Sequence, residues 1–152
     1  MGKHQEIAAR LTGLPSQGGY HPCYLEYFRL FNERAYYEAH DILEHIWLGS
    51  EGQRYVFYKA LIQFAGGFVH LQHHHREPEH RIHGRRLRPA ARLFLRSAQL
   101  LEPFPQFHEG ISTISLRQRA VGLAEELAVG DFLINPWTPE EGVFLEGPRP
   151  SS

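Results

Sequence analysis

The sequence predicts an all-α domain, a compact bundle of about five helices packed around a central apolar one. Three observations carry that expectation. Apolar residues recur at three- and four-residue spacing in several segments. One of them, about residues 51–75, is apolar on nearly every side, as a helix at the centre of a bundle is. No segment shows the alternation of a half-buried strand, and there is no internal repeat. At 152 residues, with 42% hydrophobic and 22% charged residues, the chain is expected to form a single domain over residues 1–152.

The elements follow in order. A short helix is expected near residues 7–14, ahead of the turn-rich Pro15-Ser-Gln-Gly-Gly19. Pro22 suits a first helical position, and Tyr24, Leu25, Phe28 and Phe31 recur at helical spacing up to Asn32. Glu33–Ala35 is a tight connection into a second helix, about Tyr36–Leu48, which Gly49-Ser-Glu-Gly52 stops. The third, about Glu51–His75, carries Tyr55, Phe57, Leu61, Phe64, Phe68 and Leu71. A charged connection, His73–Arg81, precedes a fourth helix with Leu87, Ala91, Phe94, Leu95, Ala98 and Leu101 on one face. Pro89 either kinks that helix or marks its start. Ser115-Leu-Arg-Gln118 reads as a capping box for a fifth helix, which Gly130 closes. From about residue 131 to 152 a Pro- and Gly-rich tail is expected to be irregular, held through Phe132 and Trp137.

Composition narrows the function classes. A formal net charge of −1 gives no overall pull toward nucleic acid or an anionic membrane, and neither is expected as a partner. No apolar run approaches membrane-spanning length, and the N-terminus lacks a signal peptide's apolar stretch. Cys23 is the single cysteine and reads as a packed thiol. A cytoplasmic location is expected, and the aromatic surplus is compatible with a homodimer. Eleven histidines make the chain histidine-rich, and His70, His73, His74, His75, His80 and His83 cluster.

The chemistry-bearing residues concentrate in the second and third helices. At 100° per residue, Tyr36, Ala39, Ile42, Leu43, Ile46 and Trp47 share the apolar face of the second helix, and Glu38, Asp41 and His45 fall on the opposite side. His40 and Glu44 are four apart, hence neighbours, at the rim of the apolar face beside Trp47 and Tyr37. On the third helix Lys59, Gln63, His70 and His74 line one stripe, with Gly66 and Gly67 nearby. If the two helices pack antiparallel, His40, Glu44, Gln63 and His70 are brought to one place.

Three readings fit that constellation. His40 and Glu44 could bond each other and Gln63 across the helices, a buried network that fixes register. They could hold a divalent metal (Zn, Fe or Mn) as ligands His40, Glu44 and His70, with His74 an adventitious fourth. The Glu-x-x-His pair of di-iron bundles and the second histidine of His-Glu-x-x-His are both absent. Or they could form a small-molecule pocket lined by Glu38, Gln63, His70 and Trp47. There His40 or His70 would serve as general base and Glu44 would orient the imidazole, with hydrolysis as the implied chemistry. The alternative to all binding functions is a non-catalytic interaction or structural module. Separately, Arg81, Arg85, Arg88, Arg92 and Arg96 line one side of the fourth helix. They read as a solvated face paired with acids, although such a stripe can also bind phosphates.

The block Phe31-Asn-Glu-Arg-Ala-Tyr-Tyr-Glu-Ala-His-Asp-Ile-Leu-Glu-His-Ile-Trp47 resembles the DUF309 family, small α-helical proteins of uncharacterised function. The family pattern is Phe-Asn-x-Gly-x-(Tyr/Phe)-(Tyr/Phe)-Glu-Ala-His-Glu-x-Leu-Glu-x-x-Trp. Phe31, Asn32, Tyr36, Tyr37, Glu38, Ala39, His40, Leu43, Glu44 and Trp47 match it, and Asp41 replaces a Glu. Leu61-Ile-Gln63-Phe-Ala65 through His70 is similar to the family's next segment, and Gly84 to the glycine that opens its fourth helix. The resemblance spans about residues 22–102 and implies a helical bundle with a pocket. Arg34 stands where the family has glycine, and the longer His73–Arg81 segment displaces the family's Arg-Gly-Asn.

Overall fold

A computed structural model describes residues 19–149; the short helix expected near residues 7–14 lies outside them. Among the described residues five α-helices follow in order: α1 (Pro22–Asn32), α2 (Tyr36–Trp47), α3 (Gly52–Arg76), α4 (Leu87–Leu101) and α5 (Thr113–Val129). A 3-10 turn, His83–Arg85, leads into α4. The all-α expectation holds with one addition. Phe107–His108 and Ile111–Ser112 form a minimal antiparallel hairpin, β1 and β2. Its turn residues Glu109 and Gly110 have φ of 48° and 77°, as the right-handed twist of a two-residue hairpin demands.

The helix ends follow local chemistry. His21 is extended and its Nδ1 accepts from the Cys23 backbone N–H at 3.0 Å, while Pro22, lacking an N–H, takes the first turn. Arg34, between α1 and α2, has φ 64°, a left-handed conformation that costs a residue with a Cβ about 1–2 kcal/mol. This is the place where the family pattern has glycine. Pro89 sits in the first turn of α4, so it starts the helix and does not kink it. The cap of α5 is Ser112, whose Oγ accepts from the Ser115 N–H at 3.2 Å. The expected Ser115–Gln118 box is therefore one turn inside the helix, because Ser112 meets the free N–H groups first.

α3 is the centre. Phe57, Leu61, Phe64, Phe68 and Leu71 are fully buried along its inner side, each worth roughly 1.5–3 kcal/mol of burial. α1 packs there: the Tyr27 hydroxyl donates to the Leu61 carbonyl at 2.7 Å, and Phe31 stacks on Phe64. α2 lies antiparallel along one flank, with Trp47 on Tyr55 and Tyr36 on Phe68 at ring separations of 4.9 and 5.1 Å. α4 lies along the other flank, where the Ser97 hydroxyl donates to the Ala60 carbonyl at 2.7 Å. Gly67 makes that approach possible, since a Cβ there would collide with the Phe94 ring; at Gly66 it would press on Leu93 at 3.1 Å. The glycine pair serves helix packing and does not open a site.

Residues 130–149 carry no helix or strand, yet they are pinned. Trp137 is 4% exposed, and its Nε1–H donates to the Tyr36 hydroxyl at 2.9 Å. Asn135 Nδ2 donates to the Leu71 carbonyl, and the Asn32 amide clamps both backbone groups of Leu145, all at 2.8 Å. The guanidinium of Arg88 lies 4.1 Å over the Phe132 ring. The expected anchors, Phe132 and Trp137, are both in place.

Candidate ligand-binding face on the second and third helices

The inner side of α3 is spoken for by the core, and its two flanks by α2 and α4. What remains is one half-buried outward stripe of Lys59, Gln63, Gly66 and His70. Trp47 opposite Tyr55 and Tyr36 opposite Phe68 fix the antiparallel register. That register sets His40 level with Gln63, and Glu44 level with Lys59. The α2 wall of this seam carries His40, Glu44 and Trp47, spaced by four and three residues and so stacked on one side of the helix over about 10 Å.

The wall has a specific chemistry. His40 Nε2 stands 3.5 Å from Glu44 Oε2, with the two side chains 31% and 39% exposed. The other ring nitrogen, His40 Nδ1, is shielded from solvent and has no hydrogen-bond partner. The Nε1–H of Trp47 is in the same condition, while its ring stacks on Tyr55. Tyr37, 55% exposed, lies parallel to the His40 imidazole at 6.2 Å. A shielded polar atom with no partner forfeits about 1–3 kcal/mol, so two of them seven residues apart on one helix face require an explanation. The third such atom, Arg34 Nε, is at the strained turn beneath Gly142.

The structure divides the residues nominated from sequence. His40, Glu44 and Trp47 share the wall, and Gln63 is level with it, but no hydrogen bond joins Gln63 to His40 or Glu44 among the described residues. The cross-helix network is thus not formed. His70 is engaged elsewhere: its Nδ1 accepts from Arg86 Nη1 at 3.1 Å. Burial first, then the charge of Arg86, push its pKa down to about 4. A base this weak, with its lone pair on a guanidinium, is a poor proton acceptor near neutrality. His74 holds the tail, its Nδ1 lying 3.2 Å from Asn135 Nδ2, and burial lowers its pKa too. Among the described residues no three His, Cys, Asp or Glu side chains stand together as a metal-binding group. His40 and Glu44 stand together, whereas His70 and His74 are bonded elsewhere, to Arg86 and Asn135. Glu38 and Asp41 are half-buried rather than fully outward, and His45 is exposed.

Sequence reasoning missed Tyr55 and Arg86, the partners of Trp47 and His70. Both follow from the helix register, which the spacing of either helix alone does not contain. Among the described residues it also missed cavities of about 520, 410 and 500 Å³, which His40, Glu44, Gln63 and Trp47 do not line. The first lies between α1, the hairpin and the tail, near Phe28, Ile111, Leu116 and Phe144. The other two adjoin the Gly49–Arg54 turn, where Arg54 and Glu109 approach to 3.6 Å. Cys23 is fully buried, the packed thiol that was expected.

Fold and face together define a class: an all-α bundle protein with a polar, partly unsatisfied wall on its second helix. Residues 24–81 match the model of DUF309, a domain of unknown function. The family resemblance therefore holds over α1–α3 and the connection after them, and the wall residues lie inside the matched stretch. Gly84 and α4 fall beyond it. No curated protein and no solved structure matches the chain. Among the described residues no helix is long and apolar enough to cross a membrane.

Proposed function

We propose that the protein is a small-molecule-binding bundle whose ligand lies along the α2 wall, against His40, Glu44 and Trp47, with Lys59 and Gln63 at its side. One observation carries the reading: two shielded ring nitrogens, His40 Nδ1 and Trp47 Nε1, are left without partners on one face. Both atoms are shielded, so a ligand meets them only as the wall's side chains turn aside; an acceptor for the Trp47 N–H and a partner for His40 then remove both penalties at once. Glu44 between them calls for a donor, so the ligand is a small polar molecule bearing both donor and acceptor groups. A purely structural role for the polar groups is disfavoured because His40 and Glu44 make no hydrogen bond to α3 and add nothing to the register that the Trp47–Tyr55 and Tyr36–Phe68 ring contacts set. The reading assigns recognition and no reaction step.

The test is a thermal-shift screen of amino acids, hydroxy acids, nucleobases and sugar phosphates, run in parallel on the unmodified chain, His40→Ala and Trp47→Phe. A ligand at a hundredfold excess over its Kd adds about 2.7 kcal/mol of stability, readily seen as a raised Tm. The expected result is a class of compound that raises the Tm of the unmodified chain and of neither variant. Equal shifts in all three proteins, or none with any compound, would contradict the proposal.

A further inference from the structure

The outer face of α4 bears a charge arrangement that the chain's overall balance conceals. The net charge is −1, yet α4 contains Arg88, Arg92 and Arg96 and no acidic residue. At four-residue steps these three stack along one side of the helix over about 12 Å. Arg81 and Arg85 lead into them through the 3-10 turn, and all five side chains are exposed. A row like this is ordinarily neutralised by neighbouring carboxylates, which is the pairing expected from the sequence. It does not occur among the described residues. Their ion pairs use Arg29, Arg54, His40 and His80, and none of the five. Arg88 is steadied over Phe132, a contact that leaves its charge uncompensated. Like charges one helical turn apart, as at Arg88, Arg92 and Arg96, repel one another, and an anionic partner relieves that repulsion.

We propose that this face binds the phosphate backbone of a nucleic acid, without reading its sequence. The residue type fits: guanidinium is permanently charged and matches phosphate oxygens in pairs, and α4 has no lysine. A lipid surface is the competing anion, and α4 is built wrongly for it. An interfacial helix inserts an apolar face, whereas Leu87, Ala91, Phe94, Ala98 and Leu101 are buried in the bundle. Leu95, 45% exposed, is the one large apolar side chain that α4 shows to solvent. No aromatic ring interleaves the arginines to stack on bases, so contact is with the backbone alone.

The experiment uses the full chain in fluorescence anisotropy with labelled single-stranded RNA and duplex DNA of unrelated sequences, across a series of salt concentrations. Binding is expected to weaken with salt. The log–log slope should become shallower by about one for each of Arg88→Gln, Arg92→Gln and Arg96→Gln, equally for every sequence. Arg29→Gln, which removes an arginine already paired with Glu26 and Glu33, should leave both affinity and slope unchanged. Circular dichroism of each variant confirms that the helices persist. Three results would each overturn the proposal: no binding to either nucleic acid at low salt, an unchanged slope when Arg88, Arg92 and Arg96 are all replaced by Gln, or, in a parallel vesicle sedimentation assay, binding to anionic phospholipid vesicles and to neither nucleic acid.

Discussion

The two tryptophans of this chain end in opposite states. Trp137 comes from a segment without regular structure, yet it is 4% exposed and its Nε1–H reaches the Tyr36 hydroxyl at 2.9 Å. Trp47 belongs to a regular helix within the DUF309 match, and its equally shielded Nε1–H has no partner. Elsewhere among the described residues, Arg34 Nε apart, shielded polar groups find partners: Tyr27 with Leu61, Ser97 with Ala60, Asn135 with Leu71. Folding has thus satisfied the interior polar groups that hold elements together, while two on the α2 wall are left open. The contrast separates a residue that stabilises from one that awaits something, and it gives variants of the two regions opposite expected signatures.

The largest effect is expected at the satisfied end. Trp137→Ala should cost about 3–5 kcal/mol through the cavity it leaves, and it frees the tail from Tyr36. Denaturant unfolding would show this as a lowered midpoint. Gly67→Ala comes next, at about 1–3 kcal/mol, since its Cβ would press into the Phe94 ring with no room to yield. Arg34→Gly should act in the other direction, stabilising by about 1 kcal/mol. It relieves the positive φ and removes a shielded Nε that has no partner. The smallest change in stability, within about 0.5 kcal/mol, is expected for His40→Ala, where loss of the part-exposed contact with Glu44 and of the Tyr37 ring contact is offset by removal of the unpartnered Nδ1. If it instead cost several kcal/mol, the wall would be structural and the comparison would fail.

Acid sharpens the same distinction. His70 has a folded-state pKa near 4, below its ordinary 6.5, so the unfolded chain binds its proton first as pH falls. The stability associated with neutral His70 is present above pH 6.5 and is lost as pH drops from there toward 4. His21 and His74, both lowered by burial, act in the same sense. His70→Gln should flatten part of the decline in Tm over that window. An unaltered decline would show that the Arg86 contact does not control the titration.

Much of this was legible in the sequence. The five helices, the central place of α3 and the anchoring of Phe132 and Trp137 follow from periodicity and from the position of apolar residues beyond the last helix. The pairing of His40 with Glu44 follows from four-residue spacing alone. The rest depends on how elements meet. Gln63 and His70 share a stripe with Lys59, but whether that stripe bonds to α2 or to α4 is decided by helix rotation. His70 went to Arg86 and Gln63 to neither. The cap at Ser112 was hidden because Ser115 carries the same capping side chain one turn later. The Glu109-Gly110 hairpin was hidden because each strand is only two residues long, too short to show alternation.

The central claim, that the α2 wall is built to receive a ligand, is tested most directly by the two indole N–H signals in a 1H–15N spectrum. The measurement is a titration of uniformly labelled protein with the compounds that raise Tm in the screen. The expected result is that the Trp47 Nε1–H resonance shifts saturably and together with the His40 ring, while that of Trp137, already bonded to Tyr36, stays in place. A saturable shift at Trp137 or at neither indole, with the His40 ring unmoved, would contradict it.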